Sequence, residues 1–198
     1  MANLILASKS PYRASMLKNA GLEFDAITAG IDERAVEAPL ADSNMSLADI
    51  AEILAIAKAQ DVSSRFSERI IIGSDQVMEF EGQQLHKPAD MEEARRRLLA
   101  LSGKKHELHS AVVLVQNSEM LWSHVETTTI IFRSLTPEFI GHHLADVGEV
   151  ALTSVGAYQI EGRGIQLIEN IKGDFFSIIG MPLLPLLKQL RSMNILEK

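Results

Sequence analysis

A short apolar stretch, Leu4-Ile5-Leu6-Ala7, breaks into Ser8-Lys9-Ser10-Pro11-Tyr12-Arg13 before residues with helical spacing resume. Two hydroxyls and two cations at a strand-to-helix junction suit an anion. A helix N-terminus offers unpaired N–H groups and a partial positive charge. Ser8 and Ser10 add donors, and the Arg13 fork can take two phosphate oxygens at once. The same residues also read as scaffolding, with Ser10 capping the helix and the cations in water. The glycines and terminal Gly-Lys-Ser/Thr of a Walker loop are absent.

Four more groups can join that chemistry. In IIIGSDQV the apolar residues Ile70–Ile72 predict a buried strand ending at Gly73-Ser74-Asp75. An acid just past a strand end sits where open sheets bind ligands, as metal ligand or proton acceptor. It is equally a common turn residue. Lys87 precedes Pro88, which biases it to extended backbone. It follows a hairpin that begins two residues after Asp75, so it suits a phosphate sharing a cleft with a metal, or else a solvated loop. Asp32-Glu33 is a solvated pair or the source of a second metal ligand. Lys58, four residues after Leu54 on a mostly apolar helix, snorkels to water or reaches into the cleft. The six histidines lack metal-binding spacing and read as structural or surface residues.

These groups need elements to position them. Pro11 suits the first turn of a helix to about Asn19, and Phe24–Ile27 reads as a second strand. Residues 30–45 are polar, contain Pro39 and read as a loop. Ser46 with Asp49 resembles a capping box opening a helix to about Ser63. Val77–Phe80 and Gln83–His86 form a hairpin around Glu81-Gly82. Asp90 caps a helix to Leu101. Strands over 106–116 and 120–132 follow, then a helix opened by Thr136-Pro137, short strands after 155, and a last helix after Pro182. Strands and helices are mixed without strict alternation, which predicts an α/β or α+β class with a mixed sheet.

At 198 residues, 46% of them hydrophobic, the chain suits one domain or two small lobes. With no cysteine it has neither disulfides nor thiolate metal sites. No signal peptide is visible, and no apolar run approaches the roughly 20 residues that span a bilayer. A cytoplasmic location and no membrane partner are expected. A net charge of −7 excludes the broad basic footprint of duplex nucleic-acid binding.

Read together, LASKSPYR, GIDER, the Ala-Lys-Ala at 57–59, IIIGSDQV, HKPADMEEA, LSGKKHELHS, VGAYQIEGRG and GDFFSIIGMPL resemble the Maf family of nucleoside triphosphate pyrophosphatases over nearly the whole chain. The resemblance implies a single two-lobed α/β domain with a mixed sheet and a central cleft, similar to inosine triphosphatases, and often a homodimer. It implies a divalent cation, magnesium or manganese, and hydrolysis between the α and β phosphates of a nucleoside triphosphate. The family's proton acceptor falls on Asp75, and its other catalytic positions on Arg13, Glu33, Lys58 and Lys87. Glu33 and Asp75 would hold the metal, while Ser8, Ser10 and Arg13 would bind phosphate.

Three positions depart from the commonest family pattern, which prefers thymidine and uridine triphosphates: Tyr12, Gln76 and Glu161. An aromatic residue, glutamine and glutamate at these places resemble a branch active on 7-methylguanosine triphosphate. N7 methylation makes guanine cationic, and a tyrosine face attracts such a ring by roughly 0.5–2 kcal/mol. A glutamate accepts from the N–H edge of guanine and repels the carbonyl edge of uracil. Glu161 lies in a glycine-flanked EGRG turn, where it reads otherwise as a surface carboxylate. The expected function is hydrolysis of 7-methyl-GTP. The alternatives are the same reaction on dTTP and UTP, or nucleotide binding without hydrolysis by a regulator of cell division.

Overall fold

Leu4–Leu6 (β1) lies between two parallel neighbours, Phe24–Ala26 (β2) and the start of Ile70–Phe80 (β3), with Leu6 opposite Ala26 and Ile72. All three residues of this interior strand are buried, so both of its faces are covered, which is why it reads as an unbroken apolar run. The computed structural model describes residues 3–40 and 43–197.

Seven strands form a mixed sheet in the order β2-β1-β3-β5-β6-β7, with β4 on β3. The later strands are Gln83–Leu85 (β4), Lys105–Gln116 (β5), Glu119–Phe132 (β6) and Ile168–Lys172 (β7). β3 and β4 pair antiparallel around Glu81 and Gly82, both with positive φ, as a two-residue primed turn requires. Asn117 and Ser118 turn β5 into β6 the same way. β7 pairs antiparallel to β6.

Each long helix has the start its sequence encodes. Ser10 accepts from the Arg13 amide at the head of Pro11–Asn19 (α1), with proline in the first turn. Ser46 and Asp49 form both bonds of a capping box on Leu47–Ser63 (α3). Asp90 caps Met91–Leu101 (α4), and Thr136 caps Pro137–Val147 (α5). Asp174 caps a short helix, Phe175–Ile179 (α6), and Leu183–Ser192 (α7) follows Pro182.

Three expectations need correction. The polar stretch 30–45 is not all loop, because Asp32 caps a short helix, Glu33–Glu37 (α2), and a 3₁₀ turn spans Ala38–Leu40. Pro39 fits there because a tight turn tolerates a missing N–H. Ala41 and Asp42 of that stretch lie outside the described residues. β3 does not end at Asp75; it continues to Phe80. Beyond residue 155 the described residues form one strand, β7, after a 3₁₀ turn over Arg163–Leu167 and before α6 and α7.

The chain divides into two compact units. The first comprises Met1–Gln76, His109–Glu126 and Asp174–Lys198, and the second Val77–Leu108 and Thr127–Gly173. The first unit's core joins Leu4, Leu6, Leu17, Ile72, Leu114, Leu186 and Leu190 from β1, α1, β3, β5 and α7. Among the described residues no helix is long and apolar enough to cross a membrane.

The second unit buries a polar pair in its core. His106 Nε2 meets the Tyr158 hydroxyl at 2.8 Å, and both rings lie edge-on to Phe132. Burial pushes the Tyr158 phenol up and pulls the His106 imidazole down to about 4. The folded protein thus holds His106 neutral, whereas the unfolded chain takes up a proton near its ordinary value of 6.5. Protonation favours the unfolded state, so this stability is full above pH 6.5 and is lost as pH falls toward 4, by up to ~3 kcal/mol. Urea unfolding of the wild type is expected to weaken across that window. A His106→Phe variant, less stable at neutral pH, should show a shallower decline.

Candidate active site

The parallel register of β1 on β3 ends at Leu6 and Ile72, with one further bond from the Ala7 amide to the Ile72 carbonyl at 2.9 Å. From Gly73 onward β3 runs past the end of β1. This leaves the Ser8–Arg13 segment beside residues 73–76, within the first unit. Side chains alternate along a strand. Gly73 and Asp75 face α3, while Ser74 and Gln76 face α6.

Gly73 is where α3 comes closest. A Cβ there would lie 2.3 Å from the Ala55 carbonyl oxygen and 2.7 Å from the Ala59 Cβ. Ala59, next to Lys58, lies in the same approach, and the Lys58 side chain leaves α3 beside β3. Its ammonium bonds to Asp75 Oδ1 and lies 2.9 Å from Glu33 Oε1. Lys58 and Asp75 are buried, at 8% and 7% exposure, while half of the Glu33 side chain is open to solvent.

The Asp32-Glu33 pair divides its work. Asp32 Oδ1 accepts from the amides of Arg34 and Ala35 as the cap of α2, which leaves Glu33 for Lys58. Partial burial pushes the Glu33 carboxyl up, but the charge and hydrogen bond of Lys58, with Lys9 and Arg13 behind, outweigh it and hold Glu33 below its ordinary value.

Arg13 is 9% exposed. Its Nε donates to the Gly180 carbonyl at 2.9 Å and its Nη1 to the Ser74 carbonyl at 2.8 Å and to Ser8 Oγ at 3.4 Å. Burial lowers its pKa, with the charges of Asp75 and Glu33 opposing. The guanidinium therefore does not offer the whole fork anticipated for phosphate, because Nε and Nη1 hold protein carbonyls. Ser8 Oγ accepts from Arg13 and from the Ser10 amide at 3.2 Å, so its own hydrogen remains a donor. Ser10 is the helix cap of the scaffolding reading.

Gln76 is anchored by its amide nitrogen, which donates to Ser110 Oγ at 2.9 Å, the Ser177 carbonyl at 2.8 Å and the Ile178 carbonyl at 3.1 Å. Tyr12 is half-buried in the first turn of α1. The structure thus brings together Ser8, Ser10, Arg13, Glu33, Lys58, Asp75 and Gln76 in one unit, with Tyr12 on the same helix as Arg13. Lys87 and Glu161 belong to the second unit. Lys87 is exposed on irregular chain after β4, and Glu161 is exposed in a turn closed by the Gly162 amide on the Gln159 carbonyl.

The site also uses residues that sequence reading left without a role: Ser74, Ser110, Ser177 and Gly180. The blocks holding the last three, LSGKKHELHS and GDFFSIIGMPL, carried the family resemblance only. The spacing of Asp174 and Ser177, a helix cap three residues from its N–H, was the available signal.

A family model described as "Maf-like protein" matches residues 3–193. The chain belongs to the Maf family. Among the family's members, a 7-methyl-GTP pyrophosphatase of Mesorhizobium japonicum is 55% identical over 194 residues, 98% of this chain and 98% of its own. Proteins of the same name from Rhizobium meliloti and Brucella suis are each 55% identical, over 194 and 188 residues, covering 98% and 95% of this chain and 98% and 94% of their own. A solved nucleoside-triphosphatase / dITP/XTP pyrophosphatase from Mycobacterium abscessus gives a TM-score of 0.36 at 16% identity, over 73% of this chain and 93% of its own, too low to carry an argument.

The Lys58 bridge makes a stability prediction. Removing one partner of a buried charge pair strands the other, at a cost of about 3–5 kcal/mol. A Lys58→Met variant is therefore expected to unfold at markedly lower urea at pH 7. Because Glu33 is held below its ordinary 4.5, its share of stability is present above that pH and lost as pH falls below it. That share is small for a half-exposed carboxylate, and it should shrink in the variant, where only Lys9 and Arg13 still lower Glu33.

Proposed function

We propose that this Maf protein hydrolyses 7-methyl-GTP between its α and β phosphates, giving the monophosphate and pyrophosphate. The observation that carries the chemistry is the buried Asp75 carboxylate bonded to the Lys58 ammonium, with Glu33 on the same cation. The base is supported by the names of relatives at 55% identity over 98% of the chain, and by Tyr12, Gln76 and Glu161 at the positions where the two branches differ.

In this reading Asp75 takes the proton from the attacking water as its oxygen closes on phosphorus. Lys58 holds that carboxylate in place through their hydrogen bond, and its positive charge faces the anionic substrate. The amides at the start of α1, with the Ser8 hydroxyl, offset charge on the phosphate oxygens. Arg13 contributes its charge and holds the Ser8–Ser10 turn against β3. Tyr12 offers its ring face to the cationic base. The roles of Lys87 on phosphate and of Glu161 on the guanine N–H edge come into this reading from the family resemblance.

The donor set also fits a divalent cation. Carboxylate oxygens are hard ligands that suit magnesium or manganese. Lys58 takes Oε1 of Glu33 and Oδ1 of Asp75, so each carboxylate has a second oxygen to give. Glu33 and Asp75 would hold the ion, which when bound supplies positive charge to the phosphate oxygens.

The test is pyrophosphate release from a panel of 7-methyl-GTP, GTP, dTTP and UTP with magnesium. The methylated nucleotide is expected to lead; a clear preference for dTTP and UTP would replace it with the pyrimidine reading. Asp75→Asn keeps the shape and removes the base, so kcat should fall by about 10²–10⁴. Near-normal turnover would remove Asp75 from this role. Glu161→Gln is expected to reduce the preference for 7-methyl-GTP over UTP by about tenfold, the worth of one charged hydrogen bond. An unchanged preference would take Glu161 out of the base pocket.

A further inference from the structure

A glutamine amide has one end that donates and one that accepts, and which end faces a substrate decides what it selects. Backbone carbonyls can only accept. The Ser177 and Ile178 carbonyls therefore fix the nitrogen end of Gln76 toward α6. Ser110 closes the arrangement. It is fully buried, and its hydroxyl donates to the Ser177 carbonyl at 2.7 Å. With its hydrogen committed there, Ser110 Oγ can only accept from Gln76, at 2.9 Å. One amide hydrogen of Gln76 goes to Ser110 and the other is shared between the two carbonyls. Asp174 holds the far side, accepting from the Ser177 amide at 2.7 Å and the Ser177 hydroxyl at 3.0 Å. The nitrogen of Gln76 has no hydrogen left to donate, and among the described residues Oε1 accepts no hydrogen bond.

We infer that Ser110 is a positioning residue: through the Ser177 carbonyl and the Gln76 amide, it locks Gln76 with Oε1 presented as a fixed acceptor for the nucleotide. A fixed acceptor at this place favours a base with an N–H edge and disfavours one that offers a carbonyl. The stretch of β3 beyond the end of β1 is where such a contact can form, because a strand edge is reached from both faces. This consequence for selectivity rests on the function proposed above, whereas the lock itself does not.

Two measurements separate them. In the ligand-free protein, the Gln76 side-chain NH2 should exchange slowly with solvent by NMR, and Ser110→Ala should make it exchange at least tenfold faster. Equal exchange in both proteins overturns the lock, whatever the enzyme hydrolyses. In the kinetic arm, the kcat/KM ratio for 7-methyl-GTP over UTP is measured in a cycle of Gln76→Ala, Ser110→Ala and the double variant. Ser110→Ala should lower the ratio by about tenfold, and should add nothing once Gln76 is alanine, as expected of a residue acting through its neighbour. An unchanged ratio in Ser110→Ala, or additive effects in the double variant, overturns the inference. A structural role alone would lower stability without moving the ratio. Ser110→Cys, similar in volume but a weak donor, should fall between serine and alanine and serves if the alanine variant does not fold. If the wild type releases pyrophosphate from none of the panel, the proposed function falls and the exchange measurement still decides the lock.

Discussion

Every α-helix ends with carbonyls that have no intrahelical donor, and at the end of α6 these fall in buried surroundings, where leaving them unpaired is costly. Side chains far away in sequence meet them. Gln76 and Ser110 take the carbonyls at Ser177 and Ile178, while Arg13 and Ser74 take that of Gly180. The short helix is thereby tied to β3, β5 and α1 at once. Because Arg13, Ser74 and Ser110 are buried and most of the acceptors are backbone carbonyls, the arrangement admits few alternatives. The Ser8–Arg13 turn, the Ser74–Gln76 stretch and the C-terminal segment are positioned as one set.

That set explains how an acidic protein can offer a receptive surface to an anion. Arg13 loses most of its hydration, and its charge is partly answered by Asp75 and Glu33. Lys58 bonds the same two carboxylates. The cations and acids alternate within a small volume, and each needs the other to remain charged out of water. A site so balanced is sensitive to the loss of any one charge. The second unit treats buried polarity differently. There burial disfavours the charged forms of His106 and Tyr158, and the two meet through His106 Nε2 and the Tyr158 hydroxyl.

Much of the fold was legible because it rests on local rules. Ser46 with Asp49, Asp90, Thr136-Pro137 and Glu81-Gly82 each act on neighbours a few residues away, and each forms the cap or turn its chemistry encodes. The misreadings were also local. The Gly73-Ser74-Asp75 triplet looks like a turn, yet Gly73 serves close helix packing inside a strand, a reason that exists only once α3 is in place. Residues 30–45 look like a loop because five residues of helix give too short a period to register. Asp32 and Glu33 are indistinguishable as a pair in sequence, and their separate roles follow from the approach of Lys58.

The sequence by itself determined which residues could handle an anion and where the caps of α1, α3, α4 and α5 and the Glu81-Gly82 turn fall, since residue type and short-range spacing carry that information. It also carried the family, through blocks that persist in order along nearly the whole chain. Only the tertiary structure decided how those residues are used. Arg13 turns to backbone carbonyls, Lys58 bridges two acids, and Gln76 faces α6 with its nitrogen. These outcomes depend on partners between 17 and 167 residues away. A hydrogen bond of that kind is set by how strands and helices pack, and no local pattern in the chain records it.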